Sequence, residues 1–244
     1  MSGRLDGRRV LVTGGASGIG LATARLCRSE GAAVAVLDRA PAPADAPHAL
    51  TGDVADPDSV ARVVEEAARR LGGIDGLVNA AGAVMHRTLA ETTDEDWRRL
   101  LAINLLGPMS VVRAALPHLR ARPGAAIVNV ASGAGLRPLP DLGAYSAAKA
   151  GLITLGKVLA MELAADGIRV NTVCPGAVDT PMLRLSWQES DNPEGARSAI
   201  AERYALKRIG RPEEQAEAIV FLLSGQAAFI TGSTLAVDGG RTFH

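Results

Sequence analysis

The chain has 244 residues, enough for one domain with a sizeable buried core. Its 26 Lys and Arg residues balance its 26 Asp and Glu residues, so charge gives no indication of a nucleic acid or an anionic membrane as partner. The first nine residues are polar and glycine-rich, and no run of about 18 apolar residues follows. We therefore expect a cytoplasmic protein that acts on a small molecule.

Cysteine and histidine positions give no indication of a metal site. Cys27 and Cys174 lie in apolar segments without disulfide or metal-ligand spacing, so we expect reduced core thiols. The histidines show no ligand spacing either, and they stand at His48, His86, His118 and His244.

Short β-branched apolar segments alternate with amphipathic helical segments along the whole chain. The predicted strands cover residues 10–13, 33–37, 74–79, 126–131 and 169–174. Such alternation is typical of an α/β fold with a parallel sheet flanked by helices. Without an internal repeat or a long linker, we expect one domain over residues 1–244.

Two of the helices have clear starting signals. Asp56 and Pro57 provide an N-cap and a first-turn proline ahead of apolar residues at helical spacing, from Val60 onward. The second helix begins with capping-box spacing at residues 93 and 96, and we expect it to bend near Pro108.

A glycine turn follows the first strand directly and leads into a helix. Glycines at such a turn allow the backbone to approach a pyrophosphate and aim the helix N-terminus at its charge. A glycine turn alone is weak evidence, since many are only turns. The turn residues expected to contact a nucleotide are Gly14, Ser17, Gly18, Ile19 and Gly20.

The second strand ends at Asp38, eighteen residues after Gly20, where a carboxylate can accept hydrogen bonds from adenine-ribose hydroxyls. A carboxylate there repels the 2′-phosphate of NADP, whereas the adjacent Arg39 could pair with that phosphate. Ser17 adds no positive charge to the turn. We therefore predict NAD in preference to NADP as the cofactor.

Tyr145 and Lys149 lie four residues apart at the start of a helical segment, and therefore on one helix face. The ammonium can then favour the ionised form of the phenol. Lowering a phenol pKa from about 10 to about 7 needs roughly 4 kcal/mol, which a unit charge at ~4 Å supplies in an effective dielectric of ~20. Most Tyr and Lys pairs at this spacing are only solvated pairs, but Tyr145 could exchange a proton with a substrate at neutral pH.

Residues 181–207 interrupt the alternation, and we expect a mobile substrate lid there. Four apolar residues suggest its inner surface: Met182, Leu183, Leu185 and Trp187. Arg137 and Arg184 could anchor a carboxylate or phosphate, although the ordinary position for each is a solvated surface.

Together these residues resemble the short-chain dehydrogenase/reductase family, in its single-domain oxidoreductase branch, over essentially the full length. The resemblance implies a Rossmann-type, doubly wound sheet of about seven strands. It also implies a homotetramer that packs through helices around residues 97–119 and 145–164. The matching parts are the glycine turn at 13–20, Asp53, Val54, Asn79, Ala80, Ala81, Gly82, Asn104, Ser132, Tyr145, Lys149, Pro175 and Gly176.

The resemblance also implies a role for each residue. Tyr145 would be the general acid/base, and Lys149 would lower its pKa and hold the nicotinamide ribose. Ser132 would hydrogen-bond the substrate oxygen, and Asn104 would anchor a water-linked proton path. Without the family, Asn104 could simply hold a helix irregularity near Pro108.

Further implied contacts concern the nucleotide. Asp53 and Val54 would contact the adenine. The residues implied beside the ribose are Asn79, Ala80, Ala81 and Gly82, and those around the carboxamide are Pro175, Gly176, Val178 and Thr180. The family often has a second Asn where this chain has Ala80, which leaves only backbone contacts at that position.

Three functions remain open. The first is an NAD-dependent dehydrogenase that interconverts a secondary alcohol and a ketone. The second is a 3-oxoacyl-thioester (acyl-carrier-protein) reductase using NADPH, against which Asp38 argues. The third is a dinucleotide-binding regulator without catalysis, against which the complete set of catalytic residue types argues.

Overall fold

A computed structural model describes residues 3–188 and 191–243 of the chain. Within those ranges, seven parallel strands form one sheet in the order β3-β2-β1-β4-β5-β6-β7. The predicted α/β class is therefore confirmed. The strands are β1 (Arg9–Thr13), β2 (Ala33–Asp38), β3 (Ala49–Thr51), β4 (Gly76–Asn79), β5 (Ala126–Val130), β6 (Arg169–Pro175) and β7 (Thr234–Val237).

Helices cover both faces of the sheet. They are α1 (Gly18–Ser29), α2 (Pro57–Leu71), α3 (Asp94–Leu101), α4 (Gly107–Arg120), α5 (Gly143–Glu162), α6 (Pro181–Gln188), α7 (Pro193–Ala201) and α8 (Pro212–Leu223). Side chains alternate along β1, so Leu11 packs in the cluster under α2 and α4 while Val10 and Val12 pack in the cluster under α1 and α8. Each fully buried Val or Leu contributes about 1.5–3 kcal/mol.

The predicted start of α2 is confirmed in detail. The Asp56 side chain accepts a hydrogen bond from the Asp58 amide, and Pro57 occupies the first turn. Val60 and the apolar residues that follow it at helical spacing are buried against the sheet. The helix ends at Gly72, whose φ of 72° is a conformation that glycine adopts without strain.

The segment Asp94–Arg120 is one long helix with a π-helical stretch at Ala102–Leu106 between α3 and α4. The capping box of Thr93 and Asp96 is confirmed. The irregularity predicted near Pro108 lies one turn earlier, where the Asn104 side chain donates to the Leu100 carbonyl. By length and composition this helix could cross a membrane, but its apolar side packs in the core.

The strand order reverses between β1 and β4. From β1 the chain proceeds outward to β2 and β3, and from β4 it proceeds outward in the opposite direction. Ligands of open α/β sheets bind beyond the carboxyl ends of the strands at such a reversal. The glycine turn after β1 and the loop after β4 meet at this point.

Candidate active site

One cavity of about 1240 Å³ extends over the carboxyl edge of the sheet. Every predicted site residue except Asn79 and Asn104 lines it. We call the part beside the glycine turn and Asp38 the nucleotide end, and the part beside α6, α7 and the segment after β7 the substrate end. Ser132, Tyr145 and Lys149 lie between the two.

The nucleotide end is formed largely by backbone. Gly14 has a φ of +68°, and an added Cβ would lie 2.7 Å from the Ala81 amide nitrogen. Ser17 caps α1 without a side-chain hydrogen bond, and no acidic residue occupies the first turn, so the positive end of the helix remains available to an anion. These features fit the pyrophosphate of a dinucleotide.

Hydrogen bonds fix the position of the glycine turn. The Thr13 hydroxyl accepts from the amides of Ala80 and Ala81, both at 3.1 Å, and so joins the ends of β1 and β4. The Asp38 carboxylate accepts from the amides of Ala16 and Ala40, both at 3.0 Å. Asp38 therefore supports the turn as well as facing the cavity.

Arg39 also faces this end, but its charge is directed to an acid. Its guanidinium lies 3.5 Å from the Asp53 carboxylate, in a pair that remains partly open to solvent. Such an exposed pair contributes little stability. The Asp53 carboxylate nevertheless offsets the positive charge of Arg39 before any nucleotide binds.

Asn79 and Asn104 lie behind the cavity wall. The Asn79 amide is buried in the sheet and donates to the Asn129 side chain at 2.9 Å. Asn104 is fully buried and holds the loop after β4 by accepting from the Ala83 amide and donating to the Ala83 carbonyl. Asn104 thus has the helix-holding role considered above, while its proton path remains a prediction.

Ser132 and Tyr145 converge on the same part of the cavity. Ser132 follows β5, and its hydroxyl accepts from the Ala134 amide at 3.1 Å. The Tyr145 hydroxyl hydrogen-bonds with the Ser132 side chain from the first turn of α5. Burial raises the pKa of Tyr145, and the Ser132 hydrogen bond opposes that rise.

Lys149 lies one turn further along α5 and is almost completely buried. Its Nζ donates to the Val130 carbonyl at 2.9 Å and lies 5.8 Å from the centre of the Tyr145 ring. Burial lowers the pKa of Lys149 to about 8, so the side chain is still largely protonated at neutral pH. Burial thus outweighs the Ser132 hydrogen bond at Tyr145, and the lowering of the Tyr145 pKa by Lys149 remains a prediction.

At the substrate end, α6 and α7 occupy the segment predicted as a lid. Met182, Leu183 and Leu185 line the cavity, whereas Trp187 is buried and does not. Residues 189–190 of the predicted lid lie outside the described residues, and its mobility remains a prediction. Arg184 makes two hydrogen bonds to Asp179, at 2.7 and 3.1 Å, and lies outside the lining.

Several lining residues were not predicted. Arg203, Tyr204 and Arg241 face the substrate end, and the Tyr204 hydroxyl accepts from the Ala177 amide at 2.7 Å. Two consecutive glycines before Arg241 indicate a turn after a strand, which could have identified that segment.

The two cysteines are free, buried thiols, in agreement with the prediction. Burial raises the pKa of Cys27 to about 12 and that of Cys174 to about 11. Cys174 lies behind Ser132 and accepts a hydrogen bond from its backbone amide.

Known proteins are similar to this chain over almost its whole length. A family model described as enoyl-(acyl carrier protein) reductase matches residues 14–242. The chain is 43% identical to cis-4-hydroxycyclohexanecarboxylate dehydrogenase of Sinomonas cyclohexanicum, with 96% of each chain covered. It is 38% identical to 3-oxoacyl-(acyl-carrier-protein) reductase of Thermotoga maritima, covering 97% of this chain and 98% of that protein.

A solved structure shows the same similarity in three dimensions. Ligand-free aldohexose dehydrogenase of Thermoplasma acidophilum superimposes with a TM-score of 0.95 at 31% sequence identity. The match covers 100% of this chain and 97% of that one.

Proposed function

Because the chain belongs to the short-chain dehydrogenase/reductase family, we propose that it is an NAD-dependent dehydrogenase that interconverts a secondary alcohol and a ketone. One observation carries this proposal. Ser132, Tyr145 and Lys149 meet in the same cavity as the glycine turn and Asp38. A proton-handling group and a dinucleotide cradle therefore face one space.

Oxidation of a secondary alcohol removes a hydride from carbon and a proton from oxygen. Bound NAD⁺ supplies the hydride acceptor. Tyr145, as phenolate, takes the hydroxyl proton and becomes a phenol, while the Ser132 hydroxyl donates to the substrate oxygen and fixes its position. Burial raises the Tyr145 pKa and the Ser132 hydrogen bond opposes that rise. We assign to the positive charge of Lys149 the further lowering that favours the phenolate.

The preference for NAD is supported by the charges at the nucleotide end. A 2′-phosphate would face the Asp38 carboxylate, which repels it and already holds the glycine turn. Arg39, the cation that could compensate, lies against Asp53. We accordingly place NAD ahead of NADP.

We further propose a homotetramer that works in the cytoplasm. Apolar side chains on the predicted packing helices remain exposed, with Met161 at 73% and Leu106 at 50% of their full accessible surface. Another copy of the chain would cover them.

The alternative is a 3-oxoacyl-thioester reductase using NADPH, which the Thermotoga maritima relative favours. It needs the same Tyr145 and Ser132 chemistry in the reductive direction. A thioester substrate and a 2′-phosphorylated cofactor distinguish it from the leading proposal.

The decisive test is formation of NADH or NADPH by the purified protein across a panel of alcohols. The panel contains secondary alcohols, diols, polyols, 4-hydroxycyclohexanecarboxylate and 3-hydroxyacyl thioesters. We expect NADH from at least one secondary alcohol of the panel. Activity confined to thioesters with NADP would establish the alternative. A protein that binds NAD but oxidises no compound of the panel would favour a non-catalytic regulator.

A further inference from the structure

Basic side chains collect at the substrate end of the cavity. Arg137, Arg203 and Arg241 all line it, and none of them forms an ion pair with an acid among residues 3–188 and 191–243. Asp141 is the acidic lining residue on this side, since Asp38 and Asp53 lie at the nucleotide end. The substrate end thus has an excess of positive charge.

Arg137 is attached to the catalytic turn. The short helical turn Gly133–Gly135 follows Ser132 directly, and the Arg137 amide donates to the Gly133 carbonyl at 2.8 Å. The Arg137 backbone therefore lies about one helical turn from Ser132, and both residues line the cavity. One substrate molecule can therefore reach both residues.

The segment after β7 brings Arg241 to Arg137. The Asp238 carboxylate accepts from the Gly240 amide and from the amide and hydroxyl of Thr242, at 2.9, 2.9 and 2.7 Å. This tight turn places the Arg241 carbonyl 3.4 Å from the Arg137 guanidinium, which donates to it. The Arg137 side chain therefore contacts the backbone of Arg241, and both residues line the substrate end.

Arg203 approaches the same region from the end of α7. Burial raises the pKa of the Tyr204 hydroxyl, the positive charges of Arg241 and Arg203 oppose that rise, and the Asp238 carboxylate adds to it. Tyr204 itself is held by the Ala177 amide. Arg203, Tyr204 and Arg241 all line this end of the cavity.

Given the dehydrogenase activity proposed above, we infer that the substrate carries a carboxylate, which Arg137 and Arg241 bind with Arg203 beside them. Guanidinium groups present paired donors that match the two oxygens of a carboxylate. The neighbouring Met182, Leu183 and Leu185 provide an apolar surface for a hydrocarbon body. The substrate class is thus a hydroxy acid whose alcohol and carboxylate are separated by a hydrocarbon frame.

Calorimetric titration with benzoate and benzamide tests this inference without turnover. The two probes have similar shapes and differ in charge. We expect the wild type to bind benzoate at least ~10-fold more tightly than benzamide, and Arg137→Met and Arg241→Met each to abolish that difference. Arg98→Met is the matched control, because Arg98 is an exposed helix residue outside the cavity.

Equal wild-type affinity for the two probes, or no benzoate binding, would overturn the inference. A loss of affinity for both probes in Arg137→Met would also overturn it, since that result indicates damage to the cavity. The titrations are run with and without NADH. Failure to bind NADH would contradict the proposed dehydrogenase. The benzoate titration without NADH would still test whether Arg137 and Arg241 bind a carboxylate.

Discussion

The two ends of the cavity are built in different ways. At the nucleotide end, glycine and backbone amides form the wall, and an added Cβ at Gly14 would collide with Ala81. At the substrate end, side chains on α6, α7 and the segment after β7 form the wall. A side chain added at the glycine turn should therefore obstruct the nucleotide end. At the substrate end, replacing a side chain should change which substrate binds.

Tyr145 lies between the two ends, and its substitution should cause the largest loss of activity. Tyr145→Phe keeps the ring but removes the group that accepts the proton, so we expect kcat to fall at least ~100-fold. Affinity for NADH should stay near the wild-type value, because the cradle at Gly14 and Ser17 is untouched. Steady-state turnover and NADH fluorescence titration measure the two quantities, and wild-type turnover would remove Tyr145 from the mechanism.

At the nucleotide end, Gly14→Ala should weaken NAD binding by roughly 10-fold or more. Alanine there would have to keep the φ of +68°, which a Cβ disfavours, and its Cβ would lie 2.7 Å from the Ala81 amide nitrogen, so the turn must shift. Calorimetry with NAD measures the change. Gly225→Ala is the matched control, because an added Cβ there meets nothing within 4 Å, and equal losses in both variants would contradict the prediction.

Asp38→Asn should change the choice between NAD and NADP. The amide removes the charge that repels a 2′-phosphate and retains one acceptor oxygen for the turn, so the ratio of NADP to NAD affinity should rise roughly 10-fold. Asp45→Asn, in an exposed pair with Arg25 outside the cavity, should leave the ratio unchanged. Tighter wild-type binding of NADP than of NAD would show that the cofactor proposal is wrong.

The buried Lys149 should have its effect on a different quantity, the pH dependence of folding stability. Burial lowers its pKa from 10.5 to about 8, so between these values the unfolded chain binds more protons and the folding stability rises with pH. The contribution approaches about 1.4 kcal/mol per pH unit. Urea unfolding measures the free energy of unfolding between pH 7.5 and 9.5. We expect it to rise with pH in the wild type and in Lys157→Met, whose substituted residue is exposed on α5. Lys149→Met should lack this rise, and a rise equal to that of the wild type would contradict the prediction.

The nucleotide end was the more predictable part of the chain. Glycine spacing after β1 and an acid after β2 depend on backbone geometry, which local sequence specifies. The long periodic helix α2 and the capping box at Thr93 were likewise correct. Short strands such as Ala49–Thr51 have too few residues for a period and were not located.

The electrostatics and the substrate end were less predictable. The pKa direction of Tyr145 depends on burial, which the spacing to Lys149 does not reveal. Arg241 reaches the cavity only because the distant strand β7 lies beside β6, a pairing that no local pattern contains. Likewise, Arg184 was considered as an anchor, but its contact with Asp179 appears only once α6 is folded.

The two tryptophans give the protein an internal optical reporter. Trp187 is only 7% exposed and belongs to α6, whereas Trp97 is partly exposed on α3, within 4.0 Å of the space beside Gly143. If α6 opens to admit a substrate, the Trp187 indole meets water and its emission moves to longer wavelength. Stopped-flow fluorescence of a Trp97→Phe variant would therefore time the opening without any attached dye.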